Sequence, residues 1–119
     1  MLKGLRTIVY HVNDLTKAKE WYKTVFEITP YFDEPFYVGY NVGGFELGLD
    51  PDPSGYKSGS TSITYWGVED IEACFKKFVA AGIEVHEAPK NVGGAIWVGS
   101  IYDPFGNVIG LIENPEFAS

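Results

Sequence analysis

The pattern of apolar and polar residues divides the first half of the chain into one helix and several strands. Residues 5–12 form a short run rich in residues that favour β-structure, and Asn13-Asp14 after it is a helix-capping signal. Apolar residues then recur at helical spacing before Thr29-Pro30, at Leu15, Ala18, Tyr22 and Val25. Three short strands are predicted after this helix, at residues 31–33, 36–42 and 45–50. This half is therefore predicted to fold as a β-α-β-β-β module.

The second half repeats the pattern of the first. A loop dense in Pro, Gly and Ser at residues 51–60 separates a first module, residues 1–50, from a second, residues 61–114, which leaves a tail at 115–119. A β-rich run at 61–68 precedes a helical stripe closed by Gly82 and formed by Ile71, Cys74, Phe75, Phe78 and Ala81. Three more strands are predicted, at residues 83–86, 95–102 and 107–113. Because residues 8–15 align without gaps with residues 64–71, the chain is predicted to be one domain, 1–119, built from a duplicated module.

A turn signal stands before the last predicted strand. In the stretch 103–107, Pro104 presets φ, Gly106 tolerates a positive φ, and the Asp103 carboxylate can accept hydrogen bonds from the backbone that follows. The next strand carries Gly110 where a larger side chain would be expected. A glycine inside a strand often marks the close approach of a ligand or of another backbone. Gly110 is therefore a candidate for a position at a functional site.

Composition narrows the classes of function. The chain has 119 residues, of which 45% are hydrophobic, and this is enough for the core of one domain. Nine basic residues against sixteen acidic ones give a net charge of −7, which opposes binding to nucleic acid or to an anionic membrane. No apolar run approaches the roughly 20 residues that span a bilayer. The single cysteine excludes an internal disulfide and no apolar signal segment precedes the first strand, so a cytoplasmic location is expected.

The sequence also lacks the motifs of several enzyme classes. It contains no phosphate-cradling G-x-x-x-x-G-K-[ST], no G-x-G-x-x-G after a strand, no G-x-S-x-G elbow and no C-x-x-C pair. The first three absences argue against an ATPase, a dinucleotide-binding enzyme and a serine hydrolase. Any binding or catalytic site is therefore expected to be formed by side chains that are not part of these motifs.

These features together resemble the vicinal oxygen chelate superfamily, which includes glyoxalase, bleomycin-resistance proteins and extradiol dioxygenases. The resemblance covers nearly the whole chain and rests on residues 12–15 with Trp21-Tyr22 and Phe26, on residues 68–71, and on the turn at 103–107. It implies an α+β fold in which the two modules form a U-shaped mixed sheet around a cup, with the helices outside. In the metal-using members a divalent ion lies in that cup.

The resemblance also implies where metal ligands would stand. In the metal-using members they lie on the first strand of each module, seven residues before the capping Asp, and on the last strand of each module. The corresponding residues here are Thr7, Ile63, Gly110 and, by the internal repeat, Gly48. Divalent metals of this kind need imidazole or carboxylate donors, usually three or more. No metal and no other cofactor is therefore expected, and the glycines predict room for a small organic ligand.

His11 and Glu46 are the two candidates for chemistry in the predicted cup. By period-two alternation His11 shares a strand face with Thr7 and Val9, and Glu46 shares one with Gly48. His11 could contact a ligand or act as a general base, or it could be satisfied at the end of its strand. Glu46 could be a catalytic acid or a solvated carboxylate at the rim of the cup. Both alternatives stay open at the level of the sequence.

The predicted ligand pocket is largely apolar and aromatic. Its expected lining is Thr7, Val9, His11, Glu46, Gly48, Ile63, Tyr65, Trp97 and Gly110. Aromatic rings favour flat or cationic ligands, but rings in strands are often core, so both interpretations stay open for Tyr65 and Trp97. Tyr37 is a further candidate for this lining, whereas Tyr10 and Trp66 are predicted to face the helices. His86 lies in a short edge-like strand and is predicted to be a surface residue.

Three functions of different class follow. The favoured one is a metal-free protein that sequesters or senses a small apolar or aromatic molecule, as bleomycin-resistance relatives do. The second is an enzyme, either a glyoxalase-like lyase or isomerase or a dioxygenase, with a divalent metal and displaced ligands such as His11 and Glu46. The third is an interaction module that regulates another protein. A homodimer is expected, because exposed sheet edges favour pairing with a second chain.

Overall fold

The computed structural model describes residues 1, 3, 5–52 and 63–115. Most of the predicted loop at 51–60 and residues 116–119 of the predicted tail lie outside the described residues. The chain divides into two compact units, Met1–Ser60 and Thr61–Ser119. Both units are α+β, as the sequence predicts.

The described residues of the first unit form one helix and a four-stranded mixed sheet. Its elements are β1 (Thr7–His11), α1 (Leu15–Phe26), β2 (Phe32–Glu34), β3 (Tyr37–Val42) and β4 (Phe45–Asp50). The strand order is β1-β4-β3-β2, with β1 parallel to β4 and the other neighbours antiparallel. The chain therefore crosses over through α1 and returns to place its last strand beside its first.

A stack of tyrosine rings joins α1 to this sheet. Tyr22 of α1 is fully buried, and its ring lies 6.4 Å from that of Tyr10 on β1 and 6.3 Å from that of Tyr40 on β3. Helical spacing places Tyr22 on the apolar stripe, and strand alternation turns Tyr10 and Tyr40 toward it. The prediction that Tyr10 faces the helix is confirmed. The opposite side of the sheet is consequently free of α1.

The second unit repeats this architecture. Its elements are β5 (Thr64–Gly67), α2 (Ile71–Ala80), β6 (Val85–Gly93), β7 (Ile96–Tyr102) and β8 (Val108–Glu113). The strand order β5-β8-β7-β6 corresponds to that of the first unit, with β5 parallel to β8 and the other neighbours antiparallel. The predicted duplication of a β-α-β-β-β module is confirmed. On the helix-facing side, the absence of a Cβ at Gly99 on β7 admits the ring of Phe75 from α2, whose Cζ would lie 2.7 Å from such a Cβ.

One strand of the second unit is longer than the sequence predicts. The prediction ended this strand at residue 86, whereas β6 continues to Gly93 through Pro89. Proline cannot donate a backbone hydrogen bond, so it normally signals the end of a strand. Here β6 is the edge strand of its sheet and its pairing with β7 is irregular, and both features tolerate the missing donor.

The turn before β8 has the predicted chemistry. One carboxylate oxygen of Asp103, which is only 4% exposed, accepts hydrogen bonds from the backbone N–H groups of Phe105 and Asn107, each at 2.9 Å. Its other oxygen accepts from the Asn107 side chain at 2.7 Å, and Gly106 has φ of 84°. This turn fixes the register in which β8 pairs with β7.

The two helices are short. They contain 12 and 10 residues, and no helix among the described residues is long and apolar enough to cross a membrane.

Candidate functional site

Each sheet has one face covered by its helix and one face that the helix leaves uncovered, here called the open face. In the first unit, parallel register pairs Thr7 with Glu46, Val9 with Gly48, and His11 with Asp50. Paired residues of adjacent strands point to the same side, so all six share the open face. Strand alternation in the sequence predicts this face for Thr7, Val9 and His11, and separately for Glu46 with Gly48.

The register nevertheless separates the two candidates for chemistry. His11 lies beside Asp50 and Glu46 beside Thr7, four positions apart along the paired strands. At about 3.3 Å per residue this places the Cα atoms of His11 and Glu46 roughly 13 Å apart. An acid and a base that share one reacting group have to lie within hydrogen-bonding reach of it. Within the first unit, the carboxylate of Glu46 is instead bound to Tyr31 and Tyr37, so the structure does not bring it together with His11 as a catalytic pair.

Glu46 instead belongs to a cluster with two tyrosines, here called the Tyr–Glu cluster (Tyr31, Tyr37 and Glu46). Tyr37 donates its hydroxyl proton to Oε2 of Glu46 at 2.5 Å, and Tyr31 donates to Oε1. β4 presents the carboxylate, β3 begins at Tyr37, and Tyr31 is held just before β2 by its backbone N–H, which donates to the Gly39 carbonyl at 3.0 Å. Gly39 and Gly48 are register partners on this face and leave space for the three side chains.

The cluster changes the protonation of all its members. The two tyrosine hydroxyls stabilise the carboxylate form, so the pKa of Glu46 is lowered. The hydrogen bond to Glu46 raises the pKa of Tyr31, and desolvation together with that bond raises the pKa of Tyr37. At neutral pH Glu46 is therefore an anion held by two neutral donors. This arrangement suits the recognition of a proton donor or cation and argues against a role as a general acid.

Exposed rings extend this cluster into a larger surface, here called the aromatic patch (Tyr31, Phe32, Phe36 and Tyr37). Tyr31 is 65% exposed and Phe36 is 66% exposed, and Phe32 is also exposed. The Phe32 ring lies 6.0 Å from that of Phe36 and 6.2 Å from that of Tyr37. Contiguous exposed apolar groups of this kind mark binding surfaces more often than isolated ones do.

The glycine at the implied metal position of β4 lies beneath a tyrosine. A Cβ added to Gly48 would overlap the Tyr37 hydroxyl and would lie 2.6 Å from Cζ of the same ring. Gly48 therefore lets the Tyr37 ring lie across β4 and reach Glu46. The space that the sequence assigns to a ligand at this position is occupied by the protein's own side chain.

The open face of the second unit has the same arrangement at Gly110. Tyr65 on β5 is the register partner of Gly110 on β8, and its ring, 44% exposed, covers that glycine. A Cβ added to Gly110 would lie 2.6 Å from Cδ1 of Tyr65 and 2.7 Å from the backbone oxygen of Thr64. The expected close approach at Gly110 is thus made by a ring and a backbone of the same unit. Ile63, directly before β5, is exposed.

His86 lies in a different environment from the one the sequence predicts. Its Nδ1 is 2.8 Å from Oγ of Ser100, and its ring packs edge-on against Tyr102 at 5.1 Å. Ser100 is buried and is the register partner of Gly110, so this polar pair lies on the open face of the second unit. The structure therefore places His86 half-buried against β7 rather than free on the surface, because its contacts with Ser100 and Tyr102 cover part of its ring.

Trp97 lies on the other side of its sheet. It pairs with Glu113 and alternates with Gly99 and Ile101, and Gly99 faces α2. The expectation that Trp97 joins the open-face residues is therefore incorrect, because its register parity turns it toward the helix. There it lines a depression of about 640 Å³ at the start of α2, with Glu69, Asp70, Ile71, Glu72 and Glu113. Two of these carboxylates are engaged, since Asp70 accepts from Ala73 N–H and Glu113 from Ile71 N–H.

The residues at the four implied metal positions do not fit a divalent ion. Thr7 offers one hydroxyl, and Ile63 offers no side-chain ligand atom. Gly48 and Gly110 have no side chains, and the rings of Tyr37 and Tyr65 lie over their backbones. Divalent ions of this class need several imidazole or carboxylate ligands. Within either unit, the described residues bring no three His, Cys, Asp or Glu side chains into a group that could hold a metal ion.

Sequence reasoning missed most of the aromatic patch and the His86–Ser100 pair. A signal for the patch exists, since four of the seven residues in 31–37 are aromatic and they flank a Glu-Pro turn. Nothing in the local sequence links Glu46 to Tyr31, because their contact depends on how β2, β3 and β4 pair. The pair on β6 and β7 depends in the same way on the irregular register of the edge strand.

Solved structures share this fold along almost the whole chain. A lactoylglutathione lyase from Agrobacterium tumefaciens is 17% identical with a TM-score of 0.80, and the match covers 98% of each chain. The fosfomycin resistance protein FosX from Listeria monocytogenes is 17% identical with a TM-score of 0.76, covering 98% of this chain and 97% of that one. TioX from Micromonospora sp. ML1 is 15% identical with a TM-score of 0.74, covering 92% of this chain and 98% of that one. At such identities these similarities establish the fold and leave the activity open.

Comparison at the level of sequence families is more specific. No curated protein sequence matches the chain significantly. The profile of one family, however, matches residues 4–111, which is nearly the whole chain and includes both modules and the turn before β8. The chain therefore belongs to the glyoxalase/bleomycin resistance protein/dioxygenase superfamily.

Proposed function

We propose that this protein binds a small apolar or aromatic molecule without a metal, and that it sequesters or senses that molecule. The observation that carries the proposal is the pair of tyrosine rings, Tyr37 and Tyr65, that lie over Gly48 and Gly110. Where metal-using relatives would place ligands, this chain presents aromatic surface. We also expect the protein to act in the cytoplasm.

The exposed rings support this choice of ligand. Small-molecule sites are mostly apolar, with a few polar groups that fix the orientation of the ligand. The open face of each unit, taken by itself, has such groups: the Tyr–Glu cluster in the first unit and the His86–Ser100 pair in the second. Aromatic rings provide a large contact area at a low cost in side-chain entropy.

The alternative of a glyoxalase-like or dioxygenase reaction receives less support. Its two candidate residues, His11 and Glu46, lie at opposite ends of the paired segment of β1 and β4. Glu46 has a lowered pKa, which is unfavourable for an acid at neutral pH. No side chain is therefore assigned a catalytic role.

Metal analysis tests whether the protein works without a metal, as proposed. Protein purified without chelator is analysed for Mn, Fe, Co, Ni, Cu and Zn, and its melting temperature is compared before and after EDTA treatment. We expect well below one metal ion per chain and an unchanged melting temperature. One equivalent of metal whose removal lowers the melting temperature would contradict the proposal.

Ligand-induced stabilisation tests the binding function. We propose 2-naphthylmethanol, a flat and neutral aromatic, as the probe, with sucrose at the same concentration as a polar control. A ligand that binds only the folded state adds about 2.7 kcal/mol of stability at a concentration of 100 Kd. We expect a saturable rise in melting temperature with the naphthalene probe and none with sucrose. A melting temperature that stays flat across a series of such aromatic probes would argue against a ligand-binding function.

A further inference from the structure

We propose that Glu46 and the aromatic patch form a recognition site for an organic cation, in which a protonated nitrogen is attached to a flat apolar group. This inference rests on the proposed binding function and specifies its ligand class. It follows from the partners of Glu46, from the rings beside it and from the charges around it.

The Glu46 carboxylate has no cationic partner among the described residues of the first unit. Its carboxylate accepts hydrogen bonds from two neutral hydroxyls, those of Tyr31 and Tyr37. Among the described residues of its own unit, 1, 3 and 5–52, no Lys, Arg or His nitrogen lies within 4.0 Å of it. A carboxylate has about four lone-pair positions, so positions remain for further donors. Within the described part of the first unit, the charge of Glu46 is stabilised by hydrogen bonds but is not neutralised by a cation.

The Glu46 carboxylate carries its negative charge at neutral pH. Because the two hydroxyls lower the pKa of Glu46, the group stays ionised at neutral pH. Both tyrosines stay protonated, since their own pKa values are raised. A neutral apolar ligand placed on this surface would strip water from a carboxylate without replacing its hydrogen bonds, which is costly. A ligand with a positively charged N–H group would restore them.

Aromatic rings lie beside the Glu46 carboxylate and continue away from it. Tyr31 and Tyr37 contact the carboxylate directly, and Phe32 and Phe36 continue the surface away from it. A cation over an aromatic face gains roughly 0.5–1 kcal/mol at exposed sites, and more where water is excluded. The apolar part of the same ligand can cover the phenylalanine rings. The patch therefore offers a charged end and an apolar end side by side.

The charges around Glu46 favour the approach of a cation. Asp50 on the same open face adds to the negative field at Tyr37. Lys19 of α1 forms an ion pair with Asp33 at 3.0 Å. Because α1 covers the other side of the sheet, this lysine lies away from the open face that carries Glu46. The whole chain carries a net charge of −7, so a cation approaches with the field rather than against it.

Three probes with one naphthalene ring test the inference. They are 2-naphthylmethylamine, which is a protonated amine at pH 7, the neutral 2-naphthylmethanol, and the quaternary N,N,N-trimethyl derivative of the amine. Isothermal titration calorimetry at low and high salt gives Kd for each. We expect the amine to bind about fivefold to tenfold more tightly than the alcohol, a value reduced for solvent exposure. We expect the quaternary ion to fall between them, because it keeps the charge and lacks the N–H donors.

Two matched variants locate the site. Glu46→Gln keeps the shape and removes the charge, and we expect it to abolish the preference for the amine while leaving the affinity for the alcohol nearly unchanged. Glu20→Gln makes the same change of net charge on α1, on the other side of the sheet, and should keep the preference. A circular-dichroism melt of each variant establishes that it is folded.

The outcomes separate this inference from the proposed function. If wild-type protein binds the amine and the alcohol equally, the cation inference is wrong while the binding function stands. If the preference persists in Glu46→Gln, the cation is recognised elsewhere and the assignment to Glu46 is overturned. If none of the three probes binds at millimolar concentration, both the inference and the proposed binding of flat aromatic molecules fail.

Discussion

At the scale of single residues, Glu46 shows how partners define the role of a side chain. An isolated, solvent-exposed glutamate would be a plain surface charge, worth little to stability. Two tyrosine hydroxyls convert it into an oriented anion within an aromatic surface. The same contacts fix the Tyr37 ring over Gly48. Glu46, the two tyrosine rings and Gly48 therefore depend on one another for their positions.

The pKa of Glu46 should depend on both hydroxyls. We expect Tyr31→Phe and Tyr37→Phe each to raise the pKa of Glu46 toward its ordinary value of 4.5, because each removes a donor to the carboxylate. A carboxyl-detected NMR titration measures this pKa. Tyr40→Phe, on the helix-facing side of β3, serves as the control and should leave it unchanged. An unchanged pKa in both cluster variants would show that the hydroxyls do not hold the carboxylate in solution.

The direction of the pH effect on stability follows from this pKa. Glu46 has a lower pKa in the folded state than in the unfolded state. Its contribution to stability is therefore fully present above the unfolded pKa and is lost as the pH falls through the folded pKa. The phenylalanine variants should show a weaker loss of stability over this acidic range.

Gly110 and Gly67, both on the open face of the second unit, should differ in how well they tolerate substitution by alanine. Gly110→Ala places a Cβ 2.7 Å from a backbone oxygen, which cannot move away as a side chain can, so we expect a loss of about 2 kcal/mol in the free energy of unfolding. Gly67→Ala meets no atom within 4 Å and should change this free energy by less than about 0.5 kcal/mol. Urea denaturation measures both. Equal effects would mean that β5 does not approach β8 as described.

At the scale of elements, the two helices begin alike and end differently. Asp14 and Asp70 each accept a hydrogen bond from the backbone three residues on, at 3.0 and 3.1 Å. These caps satisfy N–H groups that the helix itself cannot. After α2 the chain turns at Gly82 with φ of 76°, whereas after α1 it turns at Glu27 with φ of 57°. The left-handed conformation is unfavourable for any residue with a Cβ.

This difference predicts opposite effects of substitution. Glu27→Gly should stabilise the protein by roughly 0.5–1 kcal/mol, since relief of the left-handed strain outweighs the entropy that glycine adds to the unfolded chain. Gly82→Ala should destabilise it by about 1 kcal/mol for the converse reason. Urea denaturation of both variants gives the values. A destabilising Glu27→Gly would indicate that the Glu27 side chain makes a favourable contact larger than this strain.

At the scale of the whole molecule, the duplication produces two four-stranded sheets, and each has two edge strands among the described residues. In the first sheet β1 and β2 are edge strands, and in the second β5 and β6 are. Unpaired backbone groups at such edges favour pairing with another strand. Pro89 and the irregular pairing of β6 make that edge the least suited to pairing.

We expect the protein to be a homodimer in solution. Sedimentation velocity over a hundredfold range of concentration measures the mass of the particle directly. A species of twice the 13.2 kDa chain mass at micromolar concentration is the expected result. A single species of one chain mass at every concentration would contradict this expectation.

The order of elements follows from local sequence, whereas the sites within them do not. The helical stripe through Tyr22, the capping aspartates and the turn at Asp103 are signals a few residues long, and each element forms where its signal stands. The structure departs from the sequence-based expectations at β6, His86 and Trp97. In all three cases the outcome depends on the register of an edge strand, or on which of the two sheet faces a strand residue occupies. Local sequence patterns leave both of these ambiguous.

By itself, the sequence determined the duplicated β-α-β-β-β order, the family and the absence of suitable ligands at the implied metal positions. These depend on which residues are present and on their spacing along the chain. Only the tertiary structure decided that Glu46 lies with Tyr31 and Tyr37 rather than with His11, and that rings cover Gly48 and Gly110. The physical reason is that strand pairing joins residues distant in sequence, and a shift of one residue in register turns every side chain to the opposite face.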